Sequence, residues 1–246
     1  KSCYDILMTS ANSEQDEITA LSRLLGSKRV DGIILLTSRR NDPVVHYLNE
    51  QRFPFILIGR SAEYPDILSV DNDNVQASYD ATMHLIKRGH TRIGFISGPS
   101  HLILSHDRMK GYTRAMKEAG LEIRQDWIIE GEFIQESGYR AMSILMSLSQ
   151  RPSALVVVDD VVAFGIVRGL NELGYSIPND MSLISFNNTA LTELSSPPIS
   201  SVDISIYQLG YLAAQNLIHH VQGTYMGEPR TIVPHRLILR DSTLKS

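Results

Sequence analysis

Apolar residues along this chain follow two rhythms. Short, predominantly apolar runs occur at Asp31–Leu36 (DGIILL), Phe55–Ile58 (FILI), Arg92–Ile96, Ala154–Val158 and Met181–Phe186. Each reads as a strand buried on both faces. Between them, apolar residues recur at helical spacing, as in Ser13–Lys28, where Ile18, Leu21, Leu24 and Leu25 share a face. Start and stop residues bound further helices. Asn41-Asp42 before Pro43 opens Pro43–Gln51. Asp73 or Asn74 caps Val75–Arg88, and Gly89 ends it. Asp107–Ala119 is closed by Gly120. Ser137–Leu148 follows. Asp159 or Asp160 opens a helix to Leu173 that Gly174 ends, and Ser205–Gln222 is the last. Tyr4–Thr9, Trp127–Gly131 and Thr231–Leu239 read as shorter extended segments. The residues from Ser69 to the cap read as a polar loop, and Asn187–Ser201 as another loop.

Strand and helix thus alternate about nine times. Strands apolar on both faces need helices on both faces, which predicts parallel sheets and an α/β class. So many units in 246 residues predict two sheets rather than one. Two stretches carry the function, Ser69–Pro99 and Leu155–Leu170. Both put polar side chains at the carboxyl ends of strands, where open α/β sheets bind ligands. The pattern suggests a protein that holds a small molecule and does no chemistry on it.

Composition narrows the class. The chain is 43% hydrophobic and 20% charged, with no apolar run near the length of a membrane span. The opening KSCYDILM is too short an apolar stretch for a signal peptide. A single cysteine, Cys3, cannot form an internal disulfide, which fits a reducing compartment and a cytoplasmic location. Net charge is −4 without a Lys/Arg run, so the electrostatic footprint of a nucleic-acid binder is missing from these residues. The 8 histidines form no spaced metal pair, and His219-His220 point to different helix faces. Asp71-Asn72-Asp73-Asn74 lacks the glycine a calcium loop needs, with Gln76 in its place. No glycine-rich phosphate loop, nucleophile elbow or zinc-helix motif occurs. The expectation is therefore no enzyme, no metal and no cofactor.

The chain resembles the effector-binding core of the LacI/GalR family of bacterial transcription regulators. The resemblance runs from about Tyr4 to Thr243. It rests on KRVDGIILL (28–36), Asp73-Asn74, HLIKRGHTRIGFISGP (84–99), DRMKGYTRAM (107–116), VVDDVVAFGIVRGL (157–170), ISFNN (184–188), SPPISSVDI (196–204) and RLILRDST (236–243), in that order. Within the family the chain is most similar to maltose-operon repressors of Gram-positive bacteria. The resemblance implies two doubly wound parallel-sheet lobes joined by three crossovers, a periplasmic-binding-protein-like fold with the effector between the lobes. The lobes would be 1–72 plus 204–232 and 73–203 plus 233–242. It also implies a homodimer and a sugar effector such as maltose or a maltodextrin. Operator DNA would be bound through an N-terminal helix-turn-helix domain that these residues lack, and no membrane is involved. The first strand and helix of lobe one are missing too, so the expectation is a fragment of a longer protein. The alternative is a periplasmic or lipid-anchored sugar-binding protein of a transporter, which would share the fold and the cleft.

The resemblance also implies site residues. Arg108, just before Gly111-Tyr112, would contact the effector, since an arginine fork suits vicinal hydroxyls or a carboxylate. Otherwise it is a solvated arginine at a helix start. Asp159 would face the cleft while Asp160 caps a helix; the other reading makes both of them caps. Asn187 stands where most members carry Asp, which favours a neutral ligand, unless it is a simple turn residue. Phe133 would stack on the effector or else pack in the core. Arg60, after Gly59, matches the family imperfectly and is the weakest of the set.

Overall fold

The computed structural model describes residues 4–11 and 13–244. Cys3, and with it the reading of a lone thiol, lies outside the described residues. The chain divides into two compact units. One is Lys1–Val70 with Tyr211–Arg230, the other Asp71–Gly210 with Thr231–Ser246. No helix among the described residues is long and apolar enough to cross a membrane.

A four-stranded sheet is ordered β1-β2-β3-β9, of strands Ile33–Leu35, Phe55–Ile58, Ser69–Asp71 and Arg230–Ile232. The pairs β1–β2 and β2–β3 are parallel. Helix α1 (Glu14–Gly26) starts where the Ser13 hydroxyl accepts from the Asp16 N–H, with acidic residues in the first turn and Arg23 in the last. Helix α2 (Pro43–Glu50) is capped by Asp42 and opens on Pro43, whose missing N–H costs nothing there. Leu21, Val44, Val45 and Leu48 bury one face of this sheet through Phe55 and Leu57.

The second unit carries six strands in the order β10-β8-β7-β6-β4-β5. These are Arg236–Ile238, Ser200–Asp203, Ser182–Phe186, Ala154–Val157, Ile93–Ser97 and Ile128–Glu130. All neighbours are parallel except β10, which runs antiparallel to β8. Side chains of β6 alternate between two cores. Leu155 and Val157 meet α5 (Gln135–Ser147) and α6 (Asp160–Glu172). Ala154 and Val156 meet α3 (Asn74–Lys87) and α4 (Ile103–Glu118). Helices α5 and α6 approach so closely that a Cβ on Gly138 would lie 1.9 Å from the Val162 carbonyl oxygen, and one on Gly165 1.9 Å from that of Gln135. The strand order reverses between β4 and β6: the chain goes outward from β4 to β5, then returns to β6 and winds the other way. Open α/β sheets bind ligands beyond the carboxyl ends of the two strands at such a switch.

Several local expectations are corrected. Tyr4–Thr9 is not a strand; its residues pair with no ladder, and Ile6 and Met8 stand exposed. A strand of alternating apolar residues needs a neighbour to satisfy its backbone, and this one has none among the described residues. Ser69–Asp71, read as part of a polar loop, is the buried strand β3, held by Leu57 and Ile58 of β2 on one side and by the Ser69 N–H donating to Pro229 O on the other. Helix α4 begins at Ile103, four residues before the expected start, on the uncapped Leu102. The loop Asn187–Ser201 contains the short helix α7 (Ala190–Leu194) and the start of β8. Thr231–Leu239 splits into β9 and β10, and Ser205–Gln222 becomes α8 (Ile206–Val221).

Candidate functional site

Three of the residues singled out from sequence come together beyond the switch point of the second unit. Arg108 lies in the second turn of α4 and is 4% exposed. It is a buried cation, not a solvated arginine at a helix start. Its Nε donates to Asn74 Oδ1 at 2.9 Å and its Nη1 to the Val158 carbonyl at 2.6 Å. Its guanidinium carbon sits 4.0 Å above the ring of Phe186, at the end of β7. The fork is thereby set in one plane, by α3, β6 and β7 together. Burial pushes the Arg108 guanidinium down to about 10, while Asp159, Asp71 and Asp160 hold it up. It remains a cation at neutral pH.

Asp159 follows β6 and caps α6, accepting from the Val161 N–H at 2.7 Å. Its Oδ2 accepts from Asn187 Nδ2 at 2.7 Å. Burial pushes this carboxyl above the usual carboxylate range. The Val161 N–H opposes that shift, Asp160 adds to it, and the Val162 N–H and Arg108 pull it back. Asn187 follows β7 with φ +102°, a left-handed conformation that Asn tolerates better than most residues. Its backbone N–H donates to Val202 O at 2.9 Å. Asp160 is not a cap; it is fully buried and bonded to neighbouring strands and a loop.

Phe133, in the turn between β5 and α5, is half-buried against the end of β4. A Cβ on Gly98 would lie 2.5 Å from Phe133 Cζ, so only glycine lets the ring lie on this backbone. Arg60 belongs to the first unit, after β2, where its carbonyl accepts from the Ser38 hydroxyl.

The structure adds residues that the sequence left unassigned. The sequence left the cap of α3 open between Asp73 and Asn74. Asp73 takes it, accepting from the Gln76 N–H at 2.8 Å, and Asn74 turns inward to Arg108 and donates to Asp71 Oδ1 at 3.2 Å. Asn72 Nδ2 donates to the carbonyls of Ile204 and Val233 at 3.1 and 2.8 Å. Ser105, one turn before Arg108, has a buried hydroxyl with no partner among the described residues. Its only sequence signal was its spacing of three from Arg108. No group of His, Cys, Asp and Glu among the described residues could hold a metal ion. Arg108, Asp159 and Asn187 together offer a fixed guanidinium, an acceptor carboxylate and an amide, groups able to make hydrogen bonds to a polar ligand.

Residues 82–243 match the family model of the periplasmic binding protein-like domain. The chain is 33% identical over 242 residues to catabolite control protein A of Priestia megaterium, covering 98% of this chain and 73% of that protein. A LacI-type transcriptional regulator of Bacillus cereus subsp. cytotoxis superposes with a TM-score of 0.93 at 39% identity, covering 96% of this chain and 84% of that one. A probable maltose operon transcriptional repressor from Staphylococcus aureus superposes with a TM-score of 0.86 at 28% identity, covering 97% and 84%.

Proposed function

The chain belongs to the LacI/GalR family of transcription regulators, and from that premise we propose that it is the effector-binding and dimerisation core of a sugar-responsive repressor controlling maltose or maltodextrin use. The observation that carries the ligand reading is the convergence of Arg108, Asp159 and Asn187 beyond the β4/β6 switch point. Arg108 donates to ligand hydroxyls, Asp159 and the Asn187 carbonyl oxygen accept from them, and Phe133 covers an apolar C–H face. Arg60 is kept as a contact on the strength of the resemblance alone. The Arg108 cation faces Asp159, Asp71 and Asp160. A neutral polyol fits that balance, whereas a sugar phosphate would add negative charge beside three carboxylates. The structural likeness to the staphylococcal maltose operon repressor supports maltose or a maltodextrin among neutral sugars.

In this reading the protein is a cytoplasmic homodimer whose operator is bound by a helix-turn-helix domain that precedes the effector-binding core in the full-length chain. Effector binding shifts the population between two conformations of unequal operator affinity, by as much as its differential affinity for them. The test is calorimetric titration with maltose, maltotriose, glucose, ribose, galactose, trehalose and glucose 6-phosphate. Saturable binding of maltose or maltotriose, lost in Arg108→Ala and Asn187→Ala, is the expected result. Tight binding of glucose 6-phosphate alone would overturn both the maltose assignment and the charge argument.

A further inference from the structure

Beside Asp159, Asp160 is fully buried and bonds to none of the groups assigned to the ligand. Its carboxylate collects four donors. Oδ1 accepts from the hydroxyls of Ser185 at 2.5 Å and Ser201 at 2.9 Å. Oδ2 accepts from the Thr189 N–H at 2.7 Å and the Thr189 hydroxyl at 3.0 Å. The donors come from β7, β8 and the loop after β7. The Ser201 hydroxyl oxygen in turn accepts from the Asn188 N–H at 3.0 Å. Two consecutive backbone N–H groups of that loop are therefore tied to one carboxylate, one directly and one through Ser201.

The loop needs such ties. Asn187 has φ +102° and Asn188 φ +52°. Successive left-handed residues other than glycine persist only where their surroundings over-determine them. A buried carboxylate likewise persists only when its oxygens are satisfied. The two Thr189 bonds serve both demands at once, and the Ser201 hydroxyl links the carboxylate to the Asn188 N–H. We propose that Asp160 is a positioning residue for the effector site: it holds the Asn187–Thr189 loop in the conformation that presents Asn187 to the ligand. This rests on the reading of Asn187 as a ligand contact.

The chemistry separates two variants. In Asp160→Asn, the amide oxygen can still accept from Thr189, and the amide N–H groups can donate to the Ser185 and Ser201 hydroxyls, which are free to rotate. In Asp160→Ala the Thr189 anchor goes, and the Ser201 hydroxyl that accepts from Asn188 loses the carboxylate that fixes it. Ser201→Ala removes only the anchor of Asn188 and leaves the carboxylate in place, so it is the variant to use if Asp160→Ala does not fold. The readouts are hydrogen exchange at Asn188 and Thr189 without ligand, and the Kd for maltotriose. Asp160→Ala and Ser201→Ala are expected to speed exchange at this loop ahead of the rest of β7 and β8. They are also expected to weaken binding by about tenfold or more, while Asp160→Asn stays close to wild type. Asn187→Ala is run alongside. If it binds maltotriose like wild type, the ligand reading itself fails. If it weakens binding while folded Asp160→Ala or Ser201→Ala neither binds more weakly nor exchanges faster at the loop, the site stands and the positioning role is overturned.

Discussion

Arg108→Lys is the substitution that asks most of the site. It keeps the cation, so Asp159, Asp71 and Asp160 stay compensated. What it loses is shape. The guanidinium spans Asn74 Oδ1 and the Val158 carbonyl at 2.9 and 2.6 Å while lying flat on Phe186. An ammonium is a point charge, and it reaches one of these acceptors without covering the ring. One buried acceptor left unmet costs about 1–3 kcal/mol, and the lost stacking about 0.5–2 kcal/mol. Neighbouring effects do not add fully, so a stability loss of about 2 kcal/mol is expected in urea unfolding. Ligand affinity falls further, because the donors that would meet the effector are no longer held in a plane. A loss of ten- to a hundredfold, about 1.4–2.7 kcal/mol, is expected by calorimetry. Arg108→Ala is harsher on the fold, since removing the cation leaves buried carboxylates uncompensated at about 3–5 kcal/mol. A folded Arg108→Lys protein that binds maltose or maltotriose within twofold of wild type would falsify the claim that guanidinium geometry, rather than charge, makes the site.

Gly138→Ala drives a methyl group into the Val162 carbonyl at 1.9 Å, so α5 and α6 must separate; a loss of about 3 kcal/mol is expected, against a gain of about 0.5–1 kcal/mol for Gly210→Ala, on the exposed side of α8 with nothing within 4 Å. Equal effects of the two in urea unfolding would refute the packing argument. The carboxyl of Asp159 is raised above 3.8 by burial. As pH falls through that raised pKa, the carboxylate loses the charge it offers to ligand hydroxyls, so sugar binding weakens at a higher pH than an ordinary Asp would dictate. Its contribution to fold stability has the opposite sign: the folded state holds the proton more tightly, so that contribution declines as pH rises from 3.8 through the raised value. Both dependences should vanish in Asp159→Asn; an unchanged binding profile in that variant would assign the titration to another group.

The chain's pattern of apolar runs and caps was enough for the α/β class, because strands buried on both faces leave no other way to cover their sides. It also located Gly89, Gly120 and Gly174 just past the ends of their helices, where positive φ is required. Arg108, Asp159, Asn187 and Phe133 were named from motif resemblance, and the polar stops at strand ends already pointed to that edge of a sheet. Other features were not legible locally. Ser69–Asp71 is too short and too polar to read as a strand; it becomes one because β2 and β9 lie on either side to satisfy its backbone. Two adjacent aspartates look alike in sequence, and only the strands around them make one a cap facing Asn187 and the other a buried anchor for Thr189. Likewise Asp73 and Asn74 are equal cap candidates until α4 brings a buried guanidinium to one of them. Local sequence sets periodicity and helix ends because those depend on neighbours a few residues away. Which polar group is turned inward depends on partners 25–50 residues distant, as the separations of Asp160 from Ser185 and Arg108 from Val158 show, and only the folded sheet brings those together.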